Sequence, residues 1–167
     1  RYMLHIIKAG GNIADNDELL NGFLQSFSAF PGPKILVHGG GKHATRLAER
    51  LGYPQTMVEG RRITDAHTLQ VAVMSYAGWA NKRIVAGLQA AGCNALGLSG
   101  ADANVLRAVR RPVVSTDYGF VGDVSPANVH TDFLKMLLDA AITPVMCAIT
   151  HDGEGQLLNT NADTVAA

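Results

Sequence analysis

Residues 34–52 read KILVHGGGKHATRLAERLG, and this stretch decides the fold. Lys34 to His38 is a short apolar run of strand length. Gly39-Gly40-Gly41 turns the chain, and Ala44, Leu47, Ala48 and Leu51 then recur at helical spacing until Gly52 stops the helix. The same order precedes it. Tyr2 to Lys8 is an apolar strand ending at Ala9-Gly10-Gly11, and a helix follows, capped by Asp15 or Asp17, with Leu19, Leu20, Phe23, Leu24 and Phe27 on one side. Two strand–glycine–helix units in succession imply a parallel sheet covered on both faces, with ligands bound beyond the carboxyl ends of the strands, where both glycine turns lie.

Downstream, Thr56 to Thr64 reads as a polar excursion carrying Arg61 and Arg62. Asp65 opens a long helical stretch to Ala91, which Gly78 is expected to kink or divide. Asn94 to Ser99 is a third strand. Val105 to Val124 alternates like inserted hairpins, Thr131 to Ala141 is helical, and Ile142 to Ile149 is a fourth parallel strand. His151-Asp152-Gly153 is turn chemistry, and Asn161 can cap a last helix through Asp163. The expected architecture is a three-layer αβα sandwich with a mainly parallel sheet and inserted β-hairpins. A helix just capped at the end of the sequence is marginal alone, so the chain is expected to be the first part of a longer protein.

Composition narrows the function. Fourteen basic and 14 acidic side chains give a net charge of zero, so no global field gathers nucleic acid or an acidic membrane. Apolar residues make up 47% and charged residues 17%, enough to bury a sizeable core. The longest uncharged run, Ile84 to Ala101, is broken by glycine and polar residues and is no membrane span. No signal or transit segment is read at its start. Cys93 and Cys147 sit in apolar runs and give neither a disulfide framework nor a metal spacing, which suits a reducing cytoplasm. The six histidines likewise supply no metal pattern, so no metal site is expected. The informative excess is glycine, 18 residues of 167, clustered after the apolar strands.

Lys8 ends a buried strand at the ligand edge, and Gly10 and Gly11 beyond it let backbone N–H groups approach an anion. Gly39, Gly40 and Gly41 open a helix whose positive end can hold phosphate charge. Gly39 to Ala44 also satisfies the dinucleotide pattern G-x-G-x-x-A, with Glu59 about twenty residues on, so that reading stays open. A Walker A loop is excluded, because the position five before Gly41 is Leu36. Arg62 can grip a carboxylate with both arms of its fork, and Asn159 to Asp163 places two amides and a carboxylate at a helix start. Arg107, Arg110 and Arg111 lack interleaved aromatics and are expected on a solvated hairpin face.

Taken together, Lys8-Ala-Gly-Gly, Val37-His-Gly-Gly-Gly, Gly60-Arg-Arg-Ile-Thr64, Ala80-Asn-Lys82 and Asn159-Thr-Asn-Ala-Asp163 resemble the amino acid kinase family in order and spacing. The Arg62 motif favours the branch that phosphorylates the side-chain carboxylate of N-acetyl-L-glutamate, in arginine biosynthesis, with ATP and Mg2+ as cosubstrate and no tightly bound cofactor. By this resemblance Lys8 stabilises the moving phosphoryl group and Asp163 organises the catalytic lysines. Gly10, Gly11 and Gly39 serve the phosphate, Gly40 and Gly41 contact the substrate, and Arg62 and Asn159 hold its α-carboxylate end. The resemblance implies that residues 1–167 form the N-acylglutamate-binding part, without the family's nucleotide-binding half and second lysine. It further implies a cytoplasmic homodimer joined through the Asp65 to Ala91 stretch, with no nucleic-acid or membrane partner. A dinucleotide-binding oxidoreductase module and a noncatalytic small-ligand domain are the rival readings, and the acyl group, acetyl or succinyl, is not assigned.

Overall fold

A computed structural model describes residues 3–58 and 61–167. In chain order the elements are β1 (His5–Ala9), α1 (Gly11–Ala14), α2 (Asp17–Ala29), β2 (Lys34–His38), α3 (Gly41–Arg50), β3 (Met57–Val58) and β4 (Arg61–Arg62). Then come α4 (Ala66–Val73), a π-helical segment (Met74–Ala80), α5 (Asn81–Ala90), β5 (Ala95–Leu98), β6 (Val109–Arg110) and β7 (Gly122–Asp123). The remainder is α6 (Thr131–Asp139), β8 (Thr143–Cys147), β9 (Ile149–His151), β10 (Leu157–Asn159) and α7 (Ala162–Ala166).

The central sheet has the order β1-β2-β8-β5, and all its pairs are parallel. β2 and β8 are buried at every residue, as interior strands covered on both faces must be. Alternation of side chains sorts them between two cores. Leu36 and Val145 face α2 and α5, packing with Leu20, Leu24, Phe27, Ile84 and Leu88. Ile35, Val37 and Met146 point the other way, to Leu137 of α6 and the partly buried Val165 of α7. A third cluster joins Ala44 and Ala48 of α3, Val71 and Ala72 of α4, and Cys147 to Ile149. Each large side chain so buried contributes about 1.5–3 kcal/mol, which is why one-sided helices settle on this sheet. Lys34 and His38 are the polar residues of β2, and Lys34 carries a charge. Its buried ammonium donates to the Ser28 and Phe30 carbonyls at the end of α2, where a helix accumulates negative potential.

The parallel α/β frame agrees with the sequence reading, and several local features differ from it. Asn16, not Asp15 or Asp17, caps α2, accepting from the Leu19 N–H at 2.9 Å. Asp15 instead ends α1 and pairs with Arg46 at 3.4 Å. The long helical stretch is divided where Gly78 lies, but by a π-helical segment, through which it passes from α4 to α5. The Thr56–Thr64 excursion contains the small β3–β4 ladder, and the Val105–Val124 stretch has only the two-residue pairing of β6 with β7. Tyr2, Glu59 and Gly60 lie outside the described residues. Gly119 closes this region: its φ is +74°, and a Cβ there would stand 2.2 Å from the Thr64 carbonyl oxygen. The close approach lets the Phe120 N–H donate to the Thr64 carbonyl at 2.7 Å and the Thr64 N–H to the Tyr118 carbonyl at 2.9 Å. Among the described residues, no helix is long and apolar enough to cross a membrane.

Candidate active site

Because the sheet is parallel, β1, β2 and β8 all end at one edge, and the site is assembled there. The Gly39–Gly41 turn rests on a buried polar network. His38, fully buried, bonds the Gly39 carbonyl through Nδ1 at 2.7 Å, and its Nε2 meets the Asn81 side-chain amide at 3.0 Å. A carbonyl only accepts, so Nδ1 carries the proton and Nε2 accepts. The amide orientation is fixed independently: Asn81 Nδ2 donates to the Val145 carbonyl at 3.0 Å, and Lys82 donates to Asn81 Oδ1 at 3.0 Å. Burial, with the nearby Lys82 charge, pushes the His38 pKa down to about 4 despite the Gly39 bond, so the ring is neutral. A planar trans peptide points its N–H opposite to its C=O. Holding the Gly39 oxygen therefore aims the Gly40 N–H away from the core. At Gly40 a Cβ would stand 2.8 Å from the Tyr76 ring, so this position is closed to a side chain.

The Gly10–Gly11 turn lies beside it, since Ala9 pairs with His38 in the β1–β2 ladder. Asn12 accepts from Lys42 at 2.5 Å, which fastens α1 to the start of α3. Neither Gly10 nor Gly11 has a positive φ, and added Cβ atoms would meet nothing closer than 3.9 Å. Backbone geometry does not demand glycine there; the open space beside Lys8 is what glycine provides. Lys8 pairs with Asp163 at 2.7 Å. Asp163 is held in place by Asn161, whose side chain accepts from the Asp163 and Thr164 amides and starts α7.

A cleft of about 280 Å3 opens in front of the Gly39–Gly41 turn. Gly39, Gly40, Gly41, Arg62 and Asn159 all line it, with Thr160 to Ala162 along the approach to Asp163. Lys8, Asp163, Gly10 and Gly11 are outside that lining, on the neighbouring strand end and on α7. Arg62 is braced by Gln55, by the Gly41 carbonyl at 3.3 Å and by Thr45 at 2.8 Å. Asn159 donates to the buried Thr64 hydroxyl at 3.2 Å, and Thr64 bonds the Arg62 carbonyl at 3.3 Å. Arg62 and Asn159, 97 positions apart in sequence, are thus linked through one threonine.

Among the lining residues that escaped the sequence reading are Tyr76 and Arg111. Tyr76 fits the apolar side of its helix, yet its ring forms a wall of the cleft. Arg111 is not on a solvated face as expected: it lines the cleft, with its side chain only 21% exposed. Its Nε bonds both Asp123 oxygens, at 3.2 and 3.1 Å, and Nη2 completes the pair. The carboxylate raises the guanidinium pKa further, against the effect of burial. An acid twelve positions away in a Gly-containing alternating run was the available signal.

A lysine–aspartate pair, two glycine turns and an arginine-bearing cleft stand at the carboxyl edge of the parallel sheet of this α/β protein, and residues 3–167 place the chain in the amino acid kinase family. That match includes Gly39 to Ala44, so the dinucleotide reading of this turn gives way; Glu59 is outside the described residues. The chain is 59% identical over 163 residues to the acetylglutamate kinase of Phocaeicola vulgatus, covering 98% of this chain and 63% of that protein. It is 55% identical over 166 residues to the Bacteroides thetaiotaomicron acetylglutamate kinase, covering 99% of this chain and 64% of that one. The chain thus spans somewhat less than two thirds of these curated relatives. Among solved structures, the N-acetylglutamate synthase from Neisseria gonorrhoeae, complexed with coenzyme A and N-acetyl-glutamate, matches with a TM-score of 0.81 at 23% identity, over 98% of this chain and 37% of that one. An isopentenyl phosphate kinase matches at 0.56 and 16% identity, over 98% and 65%. These last likenesses concern the fold.

Proposed function

We propose that the chain forms the acyl-amino-acid side of a kinase that transfers the γ-phosphoryl group of ATP to the side-chain carboxylate of an N-acyl-L-glutamate, N-acetyl-L-glutamate in the family reading, as a step of arginine biosynthesis. The Lys8–Asp163 pair beside two glycine turns, next to a cleft holding Arg62 and Asn159, carries this reading. The acceptor carboxylate is already an anion, so no general base is needed. One of its oxygens forms the new P–O bond while the bond from γ-phosphorus to the β–γ bridging oxygen breaks, and ADP leaves. The protein's work is positioning and charge stabilisation. Lys8 offsets charge on the moving phosphoryl oxygens, Asp163 keeps that ammonium aimed, and the free amides of Gly10, Gly11, Gly40 and Gly41 add donors without bulk. Arg62 and Asn159 hold the α-carboxylate end.

In this proposal Mg2+ arrives with ATP, nucleotide contacts and a second lysine come from residues outside these 167, two subunits join through the α4–α5 helical stretch, and the enzyme works in the cytoplasm. The test is hydroxylamine trapping of the acyl phosphate with the chain extended to the full length of its relatives. Lys8→Ala should lower turnover by a hundredfold or more with little change in substrate affinity. Unchanged turnover removes Lys8 from the chemistry, and no acyl phosphate from any N-acylglutamate rejects the function.

A further inference from the structure

We propose that Asn81 and His38 are positioning residues for phosphoryl transfer: both lie outside the cleft and act through the Gly39 carbonyl, holding the Gly40 N–H on the transferring group. This rests on the kinase reading above. The Ala80-Asn-Lys82 run that carries Asn81 takes no part in the cleft lining, and His38 is absent from it too. Any effect of these two residues on the reaction passes through others.

Asn81 opens α5, yet it is only 1% exposed, and its amide is lodged among neighbouring strands. A buried amide must find its hydrogen bonds inside the protein. Nδ2 reaches the Val145 carbonyl of β8 and His38 Nε2 of β2, both at 3.0 Å, and Oδ1 accepts from Lys82. On β5 the fit is close enough that a Cβ at Gly97 would stand 1.9 Å from Asn81 Oδ1. The amide is thus fixed at both of its polar atoms. The donor it turns to His38 leaves Nε2 only the accepting role, which puts the ring proton on Nδ1, where it meets the Gly39 carbonyl at 2.7 Å.

The turn needs such a clamp. Gly39, Gly40 and Gly41 leave the cleft open to a phosphoryl group, but glycine on both sides of a peptide also opposes its rotation least. The Gly39–Gly40 peptide is trans, so its N–H is directed opposite to the carbonyl that His38 holds. Among the described residues, the Gly40 N–H meets no acceptor. Released from His38, this peptide could turn, and a misplacement of about 1 Å can cost about a hundredfold in rate.

The test compares two replacements of His38 in the chain extended to the full length of its relatives. Acyl phosphate is trapped with hydroxylamine, using N-acetyl- or N-succinyl-L-glutamate as acceptor. The Asn amide nitrogen is bonded to Cγ, as Nδ1 is, so His38→Asn keeps a donor toward Gly39. The Gln amide nitrogen is one bond further out, so His38→Gln keeps only a partner for Asn81. Both lose the ring. Turnover of His38→Gln should fall about tenfold or more, with KM for the acceptor and ATP changed less than about threefold, and His38→Asn should recover about fivefold of that loss. Asn81→Leu, which keeps the bulk and removes both donations, should behave as His38→Gln does. Equal turnover in His38→Asn and His38→Gln, or a loss confined to KM, overturns the inference and reduces the network to a scaffold. If the variants fail to fold, nitrogen-15 NMR of wild type decides: a protonated Nδ1 with a bare Nε2 supports the inference, and the opposite tautomer overturns it. Absence of acyl phosphate from wild type with either acceptor rejects the kinase reading itself.

Discussion

Acidification should unlock the support beneath the Gly39–Gly41 turn, and His38 sets the size of the effect. The ring is buried and neutral, with its pKa lowered from 6.5 to about 4. Between those values the unfolded chain binds a proton that the native protein refuses. Unfolding is therefore favoured progressively as pH falls from about 6.5 to about 4, and above 6.5 this residue adds no pH dependence. At about 1.4 kcal/mol per pKa unit, the accumulated loss is about 3 kcal/mol, a substantial part of the 5–15 kcal/mol typical of a domain. Asp65 and Asp152 also have lowered pKa values, from hydrogen bonds donated by backbone amides, but they act below the ordinary carboxylate pKa of 3.8. His43 is lowered too, by burial and then by Arg46. Urea unfolding of wild type and His38→Gln, followed by circular dichroism from pH 4 to 7.5, cancels these shared contributions. The wild-type minus variant stability should be flat above pH 6.5 and fall by about 3 kcal/mol toward pH 4. Parallel profiles, or an imidazole resonance of native His38 titrating near 6.5, would refute the reasoning.

Three further outcomes follow from the same geometry. Gly40→Ala should cost about 1–3 kcal/mol by forcing Cβ against the Tyr76 ring, and Tyr76→Ala in the same chain should recover part of it; a denaturant double-mutant cycle with no coupling would contradict the contact. Gly119→Ala combines a positive φ with a 2.2 Å approach to the Thr64 carbonyl, so thermal unfolding should show more than about 2 kcal/mol lost; a change within about 0.5 kcal/mol would mean that the turn is built differently. Arg62→Lys keeps the charge but loses the fork, so calorimetry should find N-acylglutamate affinity reduced about tenfold or more, and equal affinity would remove Arg62 from substrate binding.

The parallel frame was legible because each strand is a short apolar run closed by glycine and followed by a 3.6-residue repeat. These signals are local. The cap by Asn161 was readable for the same reason, since an Asx side chain reaches only the next few amides. Asp15 misled because its carboxylate is drawn to Arg46, 31 positions away, leaving the cap to Asn16. Arg111 was missed because its direction is set by the β6–β7 ladder and by Asp123, and a charge count along a hairpin cannot tell inward from outward. The link from Arg62 through Thr64 to Asn159 is likewise a product of folding, as are the donors that force a single tautomer on His38. The resemblance named Lys8 and Asp163 together, and the 2.7 Å separation shows that they meet.

The π-helical segment between α4 and α5 makes the length of this helical stretch as constraining as its chemistry. One residue of an α-helix subtends about 100°. Deleting one residue from Met74–Ala80 while the wide turn persisted would turn α5 by about that angle relative to α4. Ile84 and Leu88 would leave the α2 core, and Asn81 would swing away from His38 and the Val145 carbonyl. The wide turn thus acts as a phase setter: upstream of it the helix packs on α3 and the end of β8, Tyr76 within it walls the cleft, and downstream the helix serves the opposite core.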